Sequence, residues 1–130
     1  MRRRRPIRGL GCLLVLAALF GCMGVSVFTL DRICYSVLSQ RVPIYLNARI
    51  AVRQHNFLSE WGMGDTSMVL YSDDPPEEVR AWYAVTTGAY LRRALQNNEP
   101  FFRMAQGDWA VETAEDGVSS QILLYGTCVN

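Results

Sequence analysis

Between Gly9 and Leu30 the chain runs for 22 residues (GLGCLLVLAALFGCMGVSVFTL) without a single charged side chain, while both flanks are charged. No other stretch restricts the fold as strongly. A helix rises about 1.5 Å per residue, so about 20 residues cross a hydrocarbon layer of roughly 30 Å once, with some tilt. The run reads as a transmembrane anchor. It divides the chain into a basic tail (1–8), the anchor (9–30), a membrane-proximal stalk (31–42) and one small domain (43–130).

Orientation follows from the flanks. Arg2, Arg3, Arg4, Arg5 and Arg8 crowd one end of the run, whereas the other opens on Asp31 and Arg32. Basic residues stay on the cytoplasmic side, which places the amino terminus in the cytoplasm and the domain outside it. A rival reading takes the arginines as the start of a secretory signal and Leu19-Phe20-Gly21-Cys22 as a lipobox, giving a lipoprotein anchored at Cys22. Phe20 is bulky for a cleavage-site flank, and Met23 to Leu30 stays apolar where a polar tether belongs, so an uncut anchor in the cell membrane is favoured. Within the anchor, Ala17, Gly21 and Gly24 form a small-residue stripe of the kind that packs membrane helices together.

All 13 basic residues are arginine, a coding bias of the source genome rather than a mechanism. Removing the five at the amino terminus leaves eight against 12 acids, so the outer part carries about −4. Nucleic acid calls for a basic face, and anionic lipid exerts no pull on an acidic one. The partners left to expect are the bilayer, through residues 9–30, and a protein of the membrane or envelope.

From Asp31 to Gln40, Ile33, Val37 and Leu38 keep helical spacing, so the membrane helix is expected to continue until Pro43. Ala48 to Arg53 alternates as a half-buried strand, with Ala48, Ile50 and Val52 on one face. A second strand is expected over Thr66 to Tyr71, after a glycine-bearing loop, FLSEWGMGD. Asp73-Asp74-Pro75-Pro76-Glu77-Glu78 writes a helix start: proline at the first helical position, acids in the first turn, Asp73 or Asp74 as cap. The helix carries Val79, Trp82, Tyr83, Thr86, Ala89 and Tyr90 on one side. Gly88 is expected to end or kink it, and Asn97-Asn98-Glu99-Pro100 to break it. The remainder reads as three strands: Phe101 to Ala105, a turn at Gln106-Gly107-Asp108, Trp109 to Thr113, a turn at Glu115-Asp116-Gly117, and Ser120 to Val129. The last is expected to be central and covered on both faces. The fold class is α+β: an N-terminal transmembrane helix, then an antiparallel sheet covered by one main helix in the order β-β-α-β-β-β.

Pro43-Ile44-Tyr45-Leu46-Asn47-Ala48, Pro76-Glu77-Glu78-Val79 leading to Trp82-Tyr83, and a Gly-Asp-Trp hairpin carry a resemblance. The chain resembles small single-pass extracytoplasmic α+β domains of unassigned role from Chloroflexota-like bacteria. Leu46 and Asn47 stand where that group has Pro-Gly, and Pro75 where it has Ser. The shared motifs, a strand lead-in and a helix start, imply a fold and transfer no catalytic residue.

Catalytic chemistry finds little to use. His55 is the only histidine, and Gln54 and Asn56 beside it suggest a polar edge. The acids of 73–78 have helix-start roles and lack the ligand spacing of a calcium loop. No nucleophile elbow, phosphate loop, CxxC or haem-attachment motif occurs. The expectation is a protein with no catalytic residue, metal or cofactor: a non-catalytic accessory module of a membrane or envelope assembly, with Phe57, Leu58, Trp61 and Met63 as its partner contact. The alternatives are a binder of a small apolar or lipid-like ligand, lined by Trp82, Tyr83, Phe102 and Trp109, and an anchored hydrolase.

Of four cysteines, Cys12 and Cys22 fall inside the apolar run. Cys34 and Cys128 fall outside it, where an oxidising compartment would join them in a disulfide and staple the last strand to the base of the stalk.

Overall fold

A computed structural model describes residues 8–59 and 62–128, apart from the side chains of 8–10, 58 and 62. The class is α+β, with a four-stranded antiparallel sheet and two long helices. Helix α1 (Arg8–Arg41) is long and apolar enough to cross a membrane. Its leucines and phenylalanines from Leu13 to Phe28 are exposed. The chain divides after Leu30, and residues from Asp31 onward, the expected stalk included, belong to a second, compact unit.

That unit contains β1 (Ala48–Ser59), β2 (Gly62–Ser72), α2 (Pro76–Gln96), β3 (Ala105–Thr113) and β4 (Ser120–Cys128), in sheet order β1-β2-β4-β3. The element order is therefore β-β-α-β-β, with four strands where five were expected. Phe102–Met104 is a short 3₁₀ turn, and Gln106-Gly107-Asp108 lies inside β3 rather than in a turn. The close pass of the chain over the sheet explains that glycine: a Cβ on Gly107 would sit 2.8 Å from Val42 Cγ2. The expected loop FLSEWGMGD is mostly strand, since Ser59 pairs with Gly62 and only residues 60–61, outside the described part, stand between.

One irregularity decides which residues share a face. The register between β1 and β2 shifts between Ile50 and Val52, the signature of a bulge. Because side chains alternate with period two, one inserted residue moves everything after it to the other face. Val52 thus leaves the face of Ile50, and Arg53 joins the face of Met68, its partner. Simple alternation over 48–53 does not hold for this reason.

The core lies on one side of the sheet. Leu70, Val79, Tyr83 and Ile122 are fully buried there, with Tyr45, Val111 and Leu124 around them. Tyr83 stacks on Trp109 at 5.2 Å and meets Trp82 edge-on at 4.9 Å, while Tyr45 meets Trp82 at 5.2 Å. Helix α2 starts at Pro76, whose missing N–H loses nothing in a first turn. Neither aspartate caps it: Pro75 occupies the cap position without a side-chain bond, Asp74 accepts from Asn47 at 3.0 Å, and Asp73 pairs with Arg49 at 3.2 Å. The helix runs unbroken through Gly88 and ends where Asn98 takes a left-handed φ of 48°. Arg80 fastens it to the sheet by donating to the Val111 carbonyl at 2.9 and 3.2 Å.

The C-terminal end of α1, from Asp31 onward, packs on the same side of the sheet. Leu38 lies so close over β4 that a Cβ on Gly126 would approach its Cδ2 to 2.6 Å. Arg41 donates to the Ala105 carbonyl at 2.6 Å, and Cys34 and Cys128 stand at disulfide distance, their Cα atoms 6.0 Å apart. The pair expected from compartment logic is brought together.

Candidate functional site

With both helices on one side, the other side of the sheet is left open. Strand β4 is central, as expected, but it is not covered twice: Tyr125 on the open side is 45% exposed. The pairing places three cross-strand rows there. The first is Arg49, Tyr71, Gln121 and Glu112; the second Val52, Val69, Leu123 and Ala110; the third Gln54, Ser67, Tyr125 and Asp108. The middle row is wholly apolar. Val52 is 46% exposed, Tyr71 41%, and Val69 and Leu123 are half-buried. The charged residues of this side are Arg49 on β1, Asp65 on β2, and Glu112 and Asp108 on β3. A hydrogen bond to Asp65, then burial, pushes the Tyr125 hydroxyl above its ordinary value.

The expected partner contact lies elsewhere on the hairpin. Phe57 is in β1 and partly exposed, and Met63 is in β2 and half-buried. Trp61 and the side chain of Leu58 lie outside the described residues. Within the apolar part of α1, nothing lies within 4 Å of where a Cβ would stand on Gly21 or Gly24.

His55 has a richer environment than its sequence neighbours implied. Its Nδ1 lies 2.8 Å from Thr66 Oγ1, its Nε2 lies 3.3 Å from Asp31 Oδ1, and its ring meets Tyr35 edge-on at 5.9 Å. Arg53 sits over that Tyr35 ring at 5.1 Å and donates to its hydroxyl. An Asp-His-Thr set has the composition of a nucleophilic relay, but here the Thr66 hydroxyl is buried and donates to the Gly64 carbonyl at 3.2 Å. The set joins α1 to β1 and β2 beside Cys34 and Cys128, as a clasp does. Gly64, at φ 71°, makes room for it: a Cβ there would stand 3.4 Å from Asp31 Oδ1 and 3.5 Å from Cys34 Sγ. Among the described residues no three His, Cys, Asp or Glu side chains are grouped to hold a metal ion.

The aromatic residues expected to line a ligand pocket fill the core instead, while Phe102 tilts against Tyr90 at 6.3 Å. An apolar crevice of about 150 Å³ does exist, at a different place. It lies between residues 35–44 and the strands β2 and β4, walled by Leu38, Val42, Met68 and Leu124. No protein-family model, curated protein or solved structure matches the chain.

Proposed function

We propose that the chain is a non-catalytic, membrane-anchored interaction module, with its amino terminus in the cytoplasm, whose domain serves a membrane or envelope assembly through the open face of its sheet. The observation that carries this reading is the apolar middle row, Val52, Val69, Leu123 and Ala110, flanked by exposed Tyr71 and Tyr125. An antiparallel sheet commonly keeps one face in water, and such a face is polar along its rows. A continuous apolar band with tyrosines at its border is the composition of a contact surface. The resemblance to single-pass extracytoplasmic domains and the arginine-rich amino terminus support the same placement.

The test is purification in mild detergent from native membranes, with mass spectrometry of co-purifying chains. Val69→Glu, which sets a charge in the middle of the band, is expected to strip any stoichiometric companion. An unchanged set of companions, or a native chain that is both monomeric and without companions, removes the reading. A second reading, a binder of one small apolar group, rests on the 150 Å³ crevice, a size at which dry apolar cavities accept benzene-sized guests. Organic extraction of the purified chain checks it, since a crevice that never yields a bound molecule is a packing defect.

A further inference from the structure

The charge pattern of the open face names its occupant. We infer that this face binds a second copy of the same chain, sheet against sheet, about a two-fold axis parallel to the strands. The inference rests on the reading of that face as a contact surface and adds the identity and geometry of the partner.

With such an axis, β1 of one copy lies over β3 of the other, and every cross-strand row lies over its own counterpart. Val52 then faces Ala110 of the other copy, Val69 faces Leu123, Gln54 faces Asp108, and Arg49 faces Glu112. Each contact occurs twice, as an isologous interface requires. The apolar rows meet in the middle and opposite charges meet at both rims. The other in-plane axis, across the strands, sets β3 over β3 and brings Glu112 onto Asp108, a repulsion with no compensation. The pattern therefore selects one of the two arrangements. Packed sheets sit about 10 Å apart with strands some 30° from aligned, a separation that an arginine and a glutamate reach across together.

Size agrees. Four strands about 4.8 Å apart and nine residues at about 3.3 Å each give a face of roughly 570 Å², or about 1,100 Å² for two copies, just above the ~1,000 Å² that a specific interface needs. Arg49 is free to serve: its pair with Asp73 has side chains 80% and 89% exposed, and such pairs are worth little.

The test uses the full chain purified in detergent, its mass read by light scattering or sedimentation across a dilution series. A dimer is expected, weakened at least tenfold by Arg49→Glu and by Glu112→Arg separately, and restored to within threefold when both changes are combined. Restoration within one copy is impossible, because the two residues stand on opposite edges of the sheet, three strand spacings or about 14 Å apart. Both side chains are exposed, so loss of folding does not mimic the result. A monomer at every concentration, a double change that fails to restore, or a dimer that survives Val69→Glu and so belongs to the membrane helix, each overturns the inference. If the purified chain is monomeric while Val69→Glu still strips companions from native membranes, the contact-surface reading stands and the second copy falls. If Val69→Glu alters neither, both fall.

Discussion

Three glycines of the compact unit show why a residue type cannot be read without its neighbours. Gly88 sits inside α2, where the nearest obstacle to a Cβ is the end of a flexible side chain, Arg92 Nη1 at 3.8 Å. Gly88→Ala is expected to raise stability by about 0.5–1 kcal/mol, read from urea unfolding, because the glycine costs backbone entropy and serves no close contact. At Gly126 three atoms of the buried Leu38 side chain lie within 3.3 Å of the Cβ position, so Gly126→Ala is expected to destabilise by about 1–3 kcal/mol in the same assay. Gly107 belongs with Gly126. Its sequence neighbours, Gln and Asp, are ordinary turn chemistry, and nothing local reveals that Val42 passes overhead.

Ionisation belongs to this scale too. Burial, and then a hydrogen bond to Asp74, pushes the Tyr45 hydroxyl up to about 12, and burial pushes Tyr83 to about 12. The fold prefers both phenols neutral, so their contribution is complete below pH ~10 and disappears as pH rises through about 12. Asp74 is held below its usual range by hydrogen bonds from Asn47 and Tyr45, so its contribution is present above pH ~3.8 and disappears as pH falls through its lowered value. Circular dichroism across pH is expected to show both limbs, with Tyr45→Phe making the alkaline limb shallower and Asp74→Asn the acid limb.

At the scale of elements, what was legible followed periodicity and punctuation. The apolar run, the Pro76 start, the Asn98 stop and the turn at Asp116 all appear where the residues put them, the last closed by Asp116 accepting from Val118 and Ser119 N–H at 2.9 Å. The spacing of the first two strands suggests a long hairpin and the structure has one; its glycines and polar side chains look like a loop, whereas cross-strand pairing carries β1 through Gln54 to Ser59 and begins β2 at Gly62. The open face was the least legible part. Its apolar row depends on the bulge near Ala51, which carries Val52 to the side of Val69, and a bulge leaves no mark in local composition. The His55 clasp was hidden for a similar reason, since Asp31, His55 and Thr66 meet only through tertiary contacts. Asp31→Asn removes the carboxylate from a site that is 9% exposed and is expected to destabilise by about 1–3 kcal/mol, with a wild-type pattern of cross-strand amide protection retained elsewhere in hydrogen exchange.

For the molecule as a whole, Cys34 and Cys128 close a loop with a sequence separation of 94. Loop-closure entropy for a ring of that size amounts to about 4–5 kcal/mol, and removal of a native disulfide from a small domain costs about 2–5 kcal/mol. Cys34→Ala is therefore expected to lower the unfolding midpoint substantially, and thiol counting on the denatured native chain should find two reactive groups without reductant, Cys12 and Cys22, and four with it. Four without reductant would remove the bond.

The same covalent closure determines how tension travels. A pull applied between a residue before Cys34 and one after Cys128 enters at one sulfur and leaves at the other, so the load path skips the sheet, both hairpins and α2. The folded domain hangs beside the taut line as a slack loop and is never stretched. In a single-molecule pulling experiment with handles outside that pair, the oxidised chain should rise in force without a domain rupture event. On reduction a rupture should appear, releasing about 310–340 Å of contour length, the reach of 94 residues.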